Sequence, residues 1–274
     1  MKAPSALSQQ VSRRQAGPGM RRSDRGGLWI VDAVALGITI IGSAIRPSTW
    51  RRLVREQFLD TLERDGVGAL RAVLIIAVLT GLVLVSQAIF WLKELGQPDS
   101  VRRILLALVL QQFAPIAVAV VLIGRSGLTW LGSAHKLWAS GALRALERRG
   151  VDALVYLAVP MFAAFAVASA CLTAVFVAAS ISSGFLAAEL LGLSELGTRG
   201  ALVGILKTLA DSGPHWALAK ALVLGGVVAV VVLTTAARSV GAGHERGEVL
   251  SRGFFRTLLG VLVVNGLISM VIAL

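Results

Sequence analysis

The sequence predicts an all-α integral membrane protein in which five transmembrane helices follow an amphipathic interfacial helix. Hydrophobic residues make up 56 % of the chain and charged residues only 15 %, with a mean hydropathy of +0.79. One water-soluble core of 274 residues could not enclose that much apolar surface. Five apolar runs come close to or exceed the roughly 20 residues that cross the hydrocarbon of a bilayer. Arginines and lysines gather beside alternate runs, which is typical of membrane topology.

The chain begins with a basic tail, residues 1–27, that we expect to be disordered. This tail is rich in Arg, Ser, Gln, Gly and Pro and holds almost no large apolar residue, so burial cannot offset the entropy of ordering it. Its basic part is not followed directly by an apolar core and a cleavage site, so it lacks the pattern of a secretory signal. The remainder, residues 28–274, is predicted to form one membrane domain.

Residues 29–68 are predicted to be an elbow region ahead of the first span. Residues 29–45 are apolar but include Asp32 and number about 17, which is marginal for crossing the hydrocarbon. Between residues 48 and 65 the charges occupy one helical face, and the other face carries Leu53, Val54, Phe58, Leu59 and Leu62. Such a helix lies in the membrane interface, with its arginines among anionic head groups. The alternative is a connector helix in water.

The five spans are predicted at residues 69–91, 104–123, 153–180, 216–237 and 253–274. The third span is dense in alanine and serine. Small residues at four-residue spacing let helices approach closely, so we expect this span inside the bundle or at a dimer interface. Cys171 lies within it, and we expect a packing role because one cysteine supports neither a disulfide framework nor a metal cluster.

A further amphipathic helix is predicted at residues 128–149, between the second and third spans. Apolar and aromatic residues recur there every three or four positions, while charged residues occupy other faces. The recurring residues are Leu128, Leu131, His135, Trp138, Ala142 and Leu146. Gly150 supplies the signal that ends the helix.

The distribution of positive charge orients the spans. Eleven Lys and Arg residues precede residue 69, five lie between residues 124 and 152, and three lie between residues 238 and 252. The two alternate loops together hold five. Because positively charged loops stay in the cytoplasm, the N-terminus is predicted inside and the C-terminus outside. Residues 29–45 must then remain on the cytoplasmic side.

Polar residues inside the predicted spans are candidates for function. Gln87 lies in the first span, and Gln111, Gln112 and Pro115 lie in the second. Amides that face lipid are costly, which favours a partner helix, a cavity or a locally unwound turn around these positions. A kinked span whose amides reach toward the interface is the alternative.

The sequence motifs of several enzyme classes are absent. The chain has no G-x-x-x-x-G-K-[ST] loop for ATP, no H-E-x-x-H, and no G-x-S-x-G around a serine. The three histidines, His135, His215 and His244, are not spaced as metal ligands. We therefore predict no catalytic residue, no metal and no cofactor bound by this chain. The net charge of +12 lies beside apolar runs, so it predicts no nucleic-acid partner.

Five short motifs follow one another at regular places relative to the spans. They are GLVLVSQ at residues 81–87, FAP at 113–115, GRSG at 124–127, GVD at 150–152 and YLAVP at 156–160. In this order they resemble the MlaE/YrbE permease family over about residues 50–274. Members of that family are the membrane subunits of ABC-type systems that move lipids together with MCE-domain proteins.

The resemblance implies a dimer of five-span bundles in the bacterial cytoplasmic membrane, with a central cavity that holds lipid. It implies that residues 128–149 form a coupling helix docked on a separate ATPase, so that ATP is hydrolysed by the partner. The implied contacts with the ATPase are His135, Lys136, Trp138, Arg144, Glu147 and Arg148. The implied cytoplasmic mouth of the cavity consists of Gly124, Arg125, Ser126 and Gly127. Its partners would be the ABC ATPase, an MCE-domain protein, a second permease chain in a homodimer or heterodimer, and a phospholipid or sterol.

One departure from the family concerns the coupling helix. Family members usually carry an acidic signature of the E-E-x-D-A or E-Q-x-D-A kind, whereas residues 140–145 read SGALRA. Docking through an acidic surface on the ATPase remains open, and so does a divergent subunit that pairs with a standard permease. The alternative functions are an uncoupled structural subunit of such a complex and an unrelated polytopic membrane protein. A membrane enzyme acting on lipid would need clustered carboxylates or histidines, and the spans show none.

Overall fold

The computed structural model describes residues 28–45, 52–95, 112–141, 148, 153–190, 214–241 and 246–273. Every regular element within these ranges is a helix. Five helical stretches are long and apolar enough to cross a membrane: Val54–Leu84, Ala114–Ala134, Tyr156–Gly184, Trp216–Arg238 and Val249–Val271. The predicted fold class, five spans preceded by a short N-terminal helix, is confirmed.

The helices are numbered here in chain order. They are α1 (Leu28–Ile45), α2 (Arg52–Thr61), α3 (Gly68–Leu95), α4 (Ala114–Leu122), α5 (Leu128–Ala139), α6 (Ala153–Leu190), α7 (Pro214–Gly241) and α8 (Arg246–Ala273). Gln112 and Phe113, just before α4, are π-helical. Two longer π-helical turns among the described residues join helices: Leu62–Val67 joins α2 to α3, and Ile123–Gly127 joins α4 to α5. Each of these pairs is therefore one continuous helix with a wider turn in the middle.

Helix α7 lies at the centre of the bundle. Of its most apolar stretch, 72 % is buried, against 22 % for the α2–α3 helix and 17 % for α8. Its sequence is apolar nearly all round between Ala221 and Leu233, which is the pattern of a helix enclosed by others. Its neighbours are α6, α8, α4 and α5. The apolar outer faces of α3 and α8 are exposed in the chain, as expected of surfaces that meet lipid or a second chain.

The structure corrects the predicted boundary of the first span. The interfacial helix was predicted to end near Asp65, but it continues through the π-helical turn into α3 as far as Leu95. No proline occurs between residues 52 and 95, so no residue of this stretch lacks a backbone donor. The residues of the predicted apolar face differ in how deeply they are buried within the chain. Val54 is buried, whereas Leu59 is 50 % exposed.

Other helix ends differ from the predicted ones in both directions. The third span was predicted to end at residue 180, yet α6 continues to Leu190, and the Ser182 hydroxyl donates to the carbonyl of Ala178 within it. The loop predicted at residues 238–252 is helical up to Gly241 and again from Arg246. The coupling helix predicted at 128–149 is helical to Ala139 and turns at Ser140 and Gly141. Residues 104–111 of the second predicted span lie outside the described residues.

Helix α1 packs against the bundle. Ala33 and Ile40 are buried, while Val31, Val34 and Ile38 on other faces are exposed. Gly37 faces the side chain of Val230 in α7, with room for ordinary van der Waals contact. The N-terminal helix is thus held by the central helix of the bundle.

Candidate functional site

Polar contacts mark the two ends of the helix bundle. At one end, which we call the Asp65 end, the indole of Trp130 in α5 bonds to Asp65, and the neighbouring Leu131 lies against Gly253 of α8. At the other, the Lys220 end, side chains of α7 and α8 bond to each other and to Gln112, two residues before α4. The predicted site residues fall near one end or the other, so each end is described in turn.

Three side chains from three different spans meet at the Lys220 end. The Lys220 ammonium donates to Gln112 Oε1 at 2.7 Å and to Ser269 Oγ at 2.7 Å. Ser269 Oγ lies 3.0 Å from the same Gln112 oxygen and 2.7 Å from the carbonyl of Asn265. Lys220 is only 3 % exposed. A charge placed inside a span is costly, so its partners must replace much of the hydration that it loses.

The geometry of this cluster limits which groups donate and which accept hydrogen bonds. Lysine offers three donors and no acceptor, so Gln112 must turn its oxygen toward Lys220. The Ser269 hydroxyl accepts from Lys220 and has one proton to give, either to Gln112 or to the Asn265 carbonyl. The side-chain oxygen of Asn265 is buried and has no hydrogen-bond partner. The Lys220 end is therefore a polar site with an unused acceptor one helical turn from Ser269.

The remaining polar residues predicted for the spans do not all join this cluster. Pro115 is buried in the first turn of α4. The backbone just before it is helical rather than unwound, with φ −74° and ψ −46° at Phe113. Gln87 is exposed on α3. Gln111 lies outside the described residues.

The four residues predicted to form the cytoplasmic mouth occupy the second π-helical turn at the Asp65 end. Gly124 and Arg125 are exposed, whereas Ser126 and Gly127 are buried. A Cβ atom at Gly127 would lie 3.5 Å from Val232 Cγ2, while one at Gly124 would meet nothing within 4 Å. The turn thus presents one face to solvent and packs its other face on α7. The buried Ser126 hydroxyl has no hydrogen-bond partner.

The predicted ATPase contacts are described only in part. Lys136 on α5 and Arg148 are exposed. His135 and Trp138 belong to α5, but their side chains lie outside the described residues, as do Arg144 and Glu147 altogether. The exposed face of α5 also carries Thr129 and Ser133, whose hydroxyls bond back to carbonyls of their own helix.

Close backbone approaches hold the spans together between the two ends. A Cβ atom at Gly225 of α7 would collide with the carbonyl oxygen of Phe165 in α6 and lie 2.7 Å from Ser169 Cβ. One at Gly81 of α3 would collide with Ser183 Oγ and the carbonyl oxygen of Ser180, also in α6. Helices in membranes associate through such small residues. The small residues of α6 therefore serve packing inside the bundle, one of the two places predicted for this span.

Several residues of these sites were not among the predicted ones. A lysine in an apolar span is a signal that could have singled out Lys220 from the sequence. Ser269 and Asn265 could be connected with Lys220 only after the structure showed that α8 lies beside α7. Asp65 and Trp130 carried no such signal, because an aspartate and a tryptophan near a membrane interface are common.

Among the described residues, no group of three or more His, Cys, Asp and Glu side chains could hold a metal ion. Two comparisons with known proteins bear on the chain. The family model described as Permease MlaE matches residues 58–271. No curated protein matches the chain. The matched range takes in nearly all of the five spans and both π-helical turns.

Proposed function

The chain belongs to the MlaE permease family, and from this premise we propose that it is the permease subunit of an ABC-type lipid transporter in the bacterial cytoplasmic membrane. The observation that carries the proposal is the family match across residues 58–271, which coincides with the five-span bundle. The cargo would be a phospholipid or a sterol, delivered or received by an MCE-domain protein. Two permease chains, identical or different, would enclose the lipid path.

Energy for transport would come from a separate ABC ATPase. The sequence has no phosphate-binding loop of its own, so ATP would act through the partner. The segment that would contact the ATPase is α5 with the residues that follow it. It includes the predicted contacts His135, Lys136, Trp138, Arg144, Glu147 and Arg148. Exposure of Lys136 and Arg148 supports this role, since cationic side chains can meet an acidic surface of the ATPase.

The lipid path would run from the second π-helical turn toward the Lys220 end. Gly124, Arg125, Ser126 and Gly127 would form its cytoplasmic mouth, while Gln87, Gln111, Gln112 and Pro115 would shape its polar points. Gln112 has direct support, because its side chain fixes the ammonium of Lys220 inside the bundle. An ionisable residue inside a span is a functional candidate by its cost alone.

One observation favours a second candidate function. Residues 140–145 lack the acidic signature that family members usually carry in the coupling helix. This chain would then be a structural subunit that does not itself engage an ATPase and pairs with a permease that does.

Purification of the tagged chain from its native membrane in mild detergent separates these candidates. Bound proteins and lipids are identified by mass spectrometry. Recovery of an ABC ATPase, an MCE-domain protein and a phospholipid or sterol supports the transporter. Recovery of a second permease with them indicates a heterodimer. A chain recovered without ATPase, under conditions in which other ABC complexes stay intact, overturns the coupled permease in favour of the structural subunit.

A further inference from the structure

The π-helical turns Leu62–Val67 and Ile123–Gly127 are connected by side chains that lie in them or close to them. Trp130 Nε1, three residues after the second turn, donates to Oδ2 of Asp65 in the first turn at 2.6 Å. Arg125, inside the second turn, lies with its guanidinium against Gly68, directly after the first turn. We call these four residues the latch. Both contacts run between the same two segments, one on each side of the junction.

Asp65 makes this junction sensitive to its hydrogen bond. The residue is only 6 % exposed. A buried carboxylate is costly unless it accepts hydrogen bonds, and a bond to an ionised acceptor is about twice as strong as a neutral one. If Trp130 moved away, Asp65 would have to move into water as well. Asp65 and Trp130 are therefore expected either to stay bonded or to separate completely, rather than to move apart gradually.

The second contact of the latch is between Gly68, which has no side chain, and the guanidinium of Arg125. Any Cβ atom at residue 68 would collide with the guanidinium of Arg125. The guanidinium of Arg125 therefore occupies the space that a side chain at residue 68 would fill.

The packing of the two segments shows why the latch matters. Helix α2 and the first π-helical turn pack mainly against α6. Helix α5 packs mainly against α7 and α8, for example through Leu131 and Gly253. The elbow region and the coupling helix therefore have different main neighbours, and the latch connects them directly. π-helical turns, which carry one extra residue in the turn, often occur where a helix performs a function.

We propose that Asp65, Trp130 and Arg125 are positioning residues that hold α5 in register with the start of the first span, and that the latch passes displacements of α5 to the α2–α3 helix. The second half of this proposal rests on the proposed function, because it assumes an ATPase that moves α5. The first half is a statement about the chain alone. A movement of α5 away from Asp65 would release the elbow region, and a movement toward it would carry the first span along.

The test measures the register of the two helices in the full chain, reconstituted in phosphatidylcholine nanodiscs. Cys171 is replaced by alanine, and spin labels are attached at Arg55→Cys on α2 and Ser133→Cys on α5, two exposed positions outside the latch. Pulsed dipolar spectroscopy then gives the distribution of distances between the labels. The intact latch predicts one narrow population.

Two latch variants and one control are compared. Trp130→Phe keeps an aromatic ring and removes the N–H donor, so the ratio of displaced to latched molecules should rise roughly ten- to a hundred-fold. Asp65→Asn keeps an acceptor oxygen but removes its charge, so the rise should be smaller, roughly two- to ten-fold. The double variant should match Trp130→Phe alone, since both changes act on one bond. Trp216→Phe, an exposed tryptophan on α7, should leave the distribution unchanged.

A narrow, unshifted distribution in Trp130→Phe would overturn the latch. The latch would also be overturned if Trp130→Phe lowered the thermal unfolding midpoint but left the label distances narrow and unshifted. The hydrogen bond would then stabilise the chain without fixing the register of α5. Where the ATPase co-purifies, the latch variants should still bind it but lose most lipid-stimulated ATP hydrolysis. Failure of the wild-type chain to recover an ATPase would refute the coupled permease and leave the distance result to decide the latch.

Discussion

Replacing Gly225 with alanine inserts one methyl group between α7 and α6 at their closest approach. The new carbon would collide with the carbonyl oxygen of Phe165 and lie 2.7 Å from Ser169 Cβ. A backbone oxygen cannot rotate away as a side chain can, so the two helices must separate. Overpacking of a close-packed interior costs about 1–3 kcal/mol. The same substitution gains about 0.5–1 kcal/mol of helix propensity wherever a helical glycine becomes alanine.

Gly266→Ala is the matched control for this change. Gly266 lies in the middle of α8, and nothing approaches within 4 Å of a Cβ atom built there. Both variants gain the same propensity, so the difference between them isolates the steric cost. That difference is about 1–3 kcal/mol, or roughly a 5- to 150-fold change in the unfolding equilibrium constant.

Equilibrium unfolding of the purified variants in mixed micelles measures this difference. The mole fraction of sodium dodecyl sulfate is raised, and the loss of helix is followed by circular dichroism. Gly225→Ala should unfold at a lower mole fraction than the wild type, and Gly266→Ala at the same or a higher one. Equal midpoints for the two variants would refute the close approach of α6 and α7 as described.

Three further predictions concern the mouth, the buried lysine and the topology. Gly127→Leu should abolish transfer of labelled phospholipid between vesicles, because Val228 and Val232 leave room for a Cβ atom but for little more. Gly124→Leu is the control and should retain transfer, because the space around Gly124 is open. Equal activity of the two variants would contradict the packing of Gly127 against α7. Lys220→Met removes a buried charge and its hydrogen bonds to Gln112 and Ser269, so transfer should fall about ten-fold or more; wild-type transfer would exclude a role for the charge. In a chain that carries Cys171→Ala, Ser133→Cys should react with an impermeant maleimide only from the cytoplasmic side. A cysteine appended after Leu274 should react only from the outer side. Labelling of both cysteines from the same side would refute the orientation predicted from the positive charges.

The hydrophobic pattern was sufficient to predict the number and order of the spans. Hydrocarbon thickness demands long apolar runs, and such runs are visible without any knowledge of tertiary contacts. Several helices extend beyond the predicted spans. Ser182 lies two residues beyond the predicted end of the third span, yet it stays helical because its hydroxyl bonds to the preceding turn.

The candidate sites were less accessible from the sequence, because they depend on which helix faces which. Gln112 could be suspected from its position in an apolar run, but its partner Lys220 lies 108 residues away. Asp65 appeared to belong to the charged face of an interfacial helix. The π-helical turn shifts the register by one residue, and this shift places Asp65 with the buried residues.

The length of α6 has a consequence for how the chain meets the bilayer. Its 38 residues extend for about 57 Å, whereas the hydrocarbon and head-group layers together measure about 40–45 Å. A tilt of about 20°, the average for membrane helices, shortens the vertical span by only a few ångströms. Pro160 lies inside α6 and can bend it, but we expect one end of this helix to extend beyond the head groups. The exposed Leu186 and Leu190 lie on its final turns, so a change in bilayer thickness alters how much apolar surface these turns present to water.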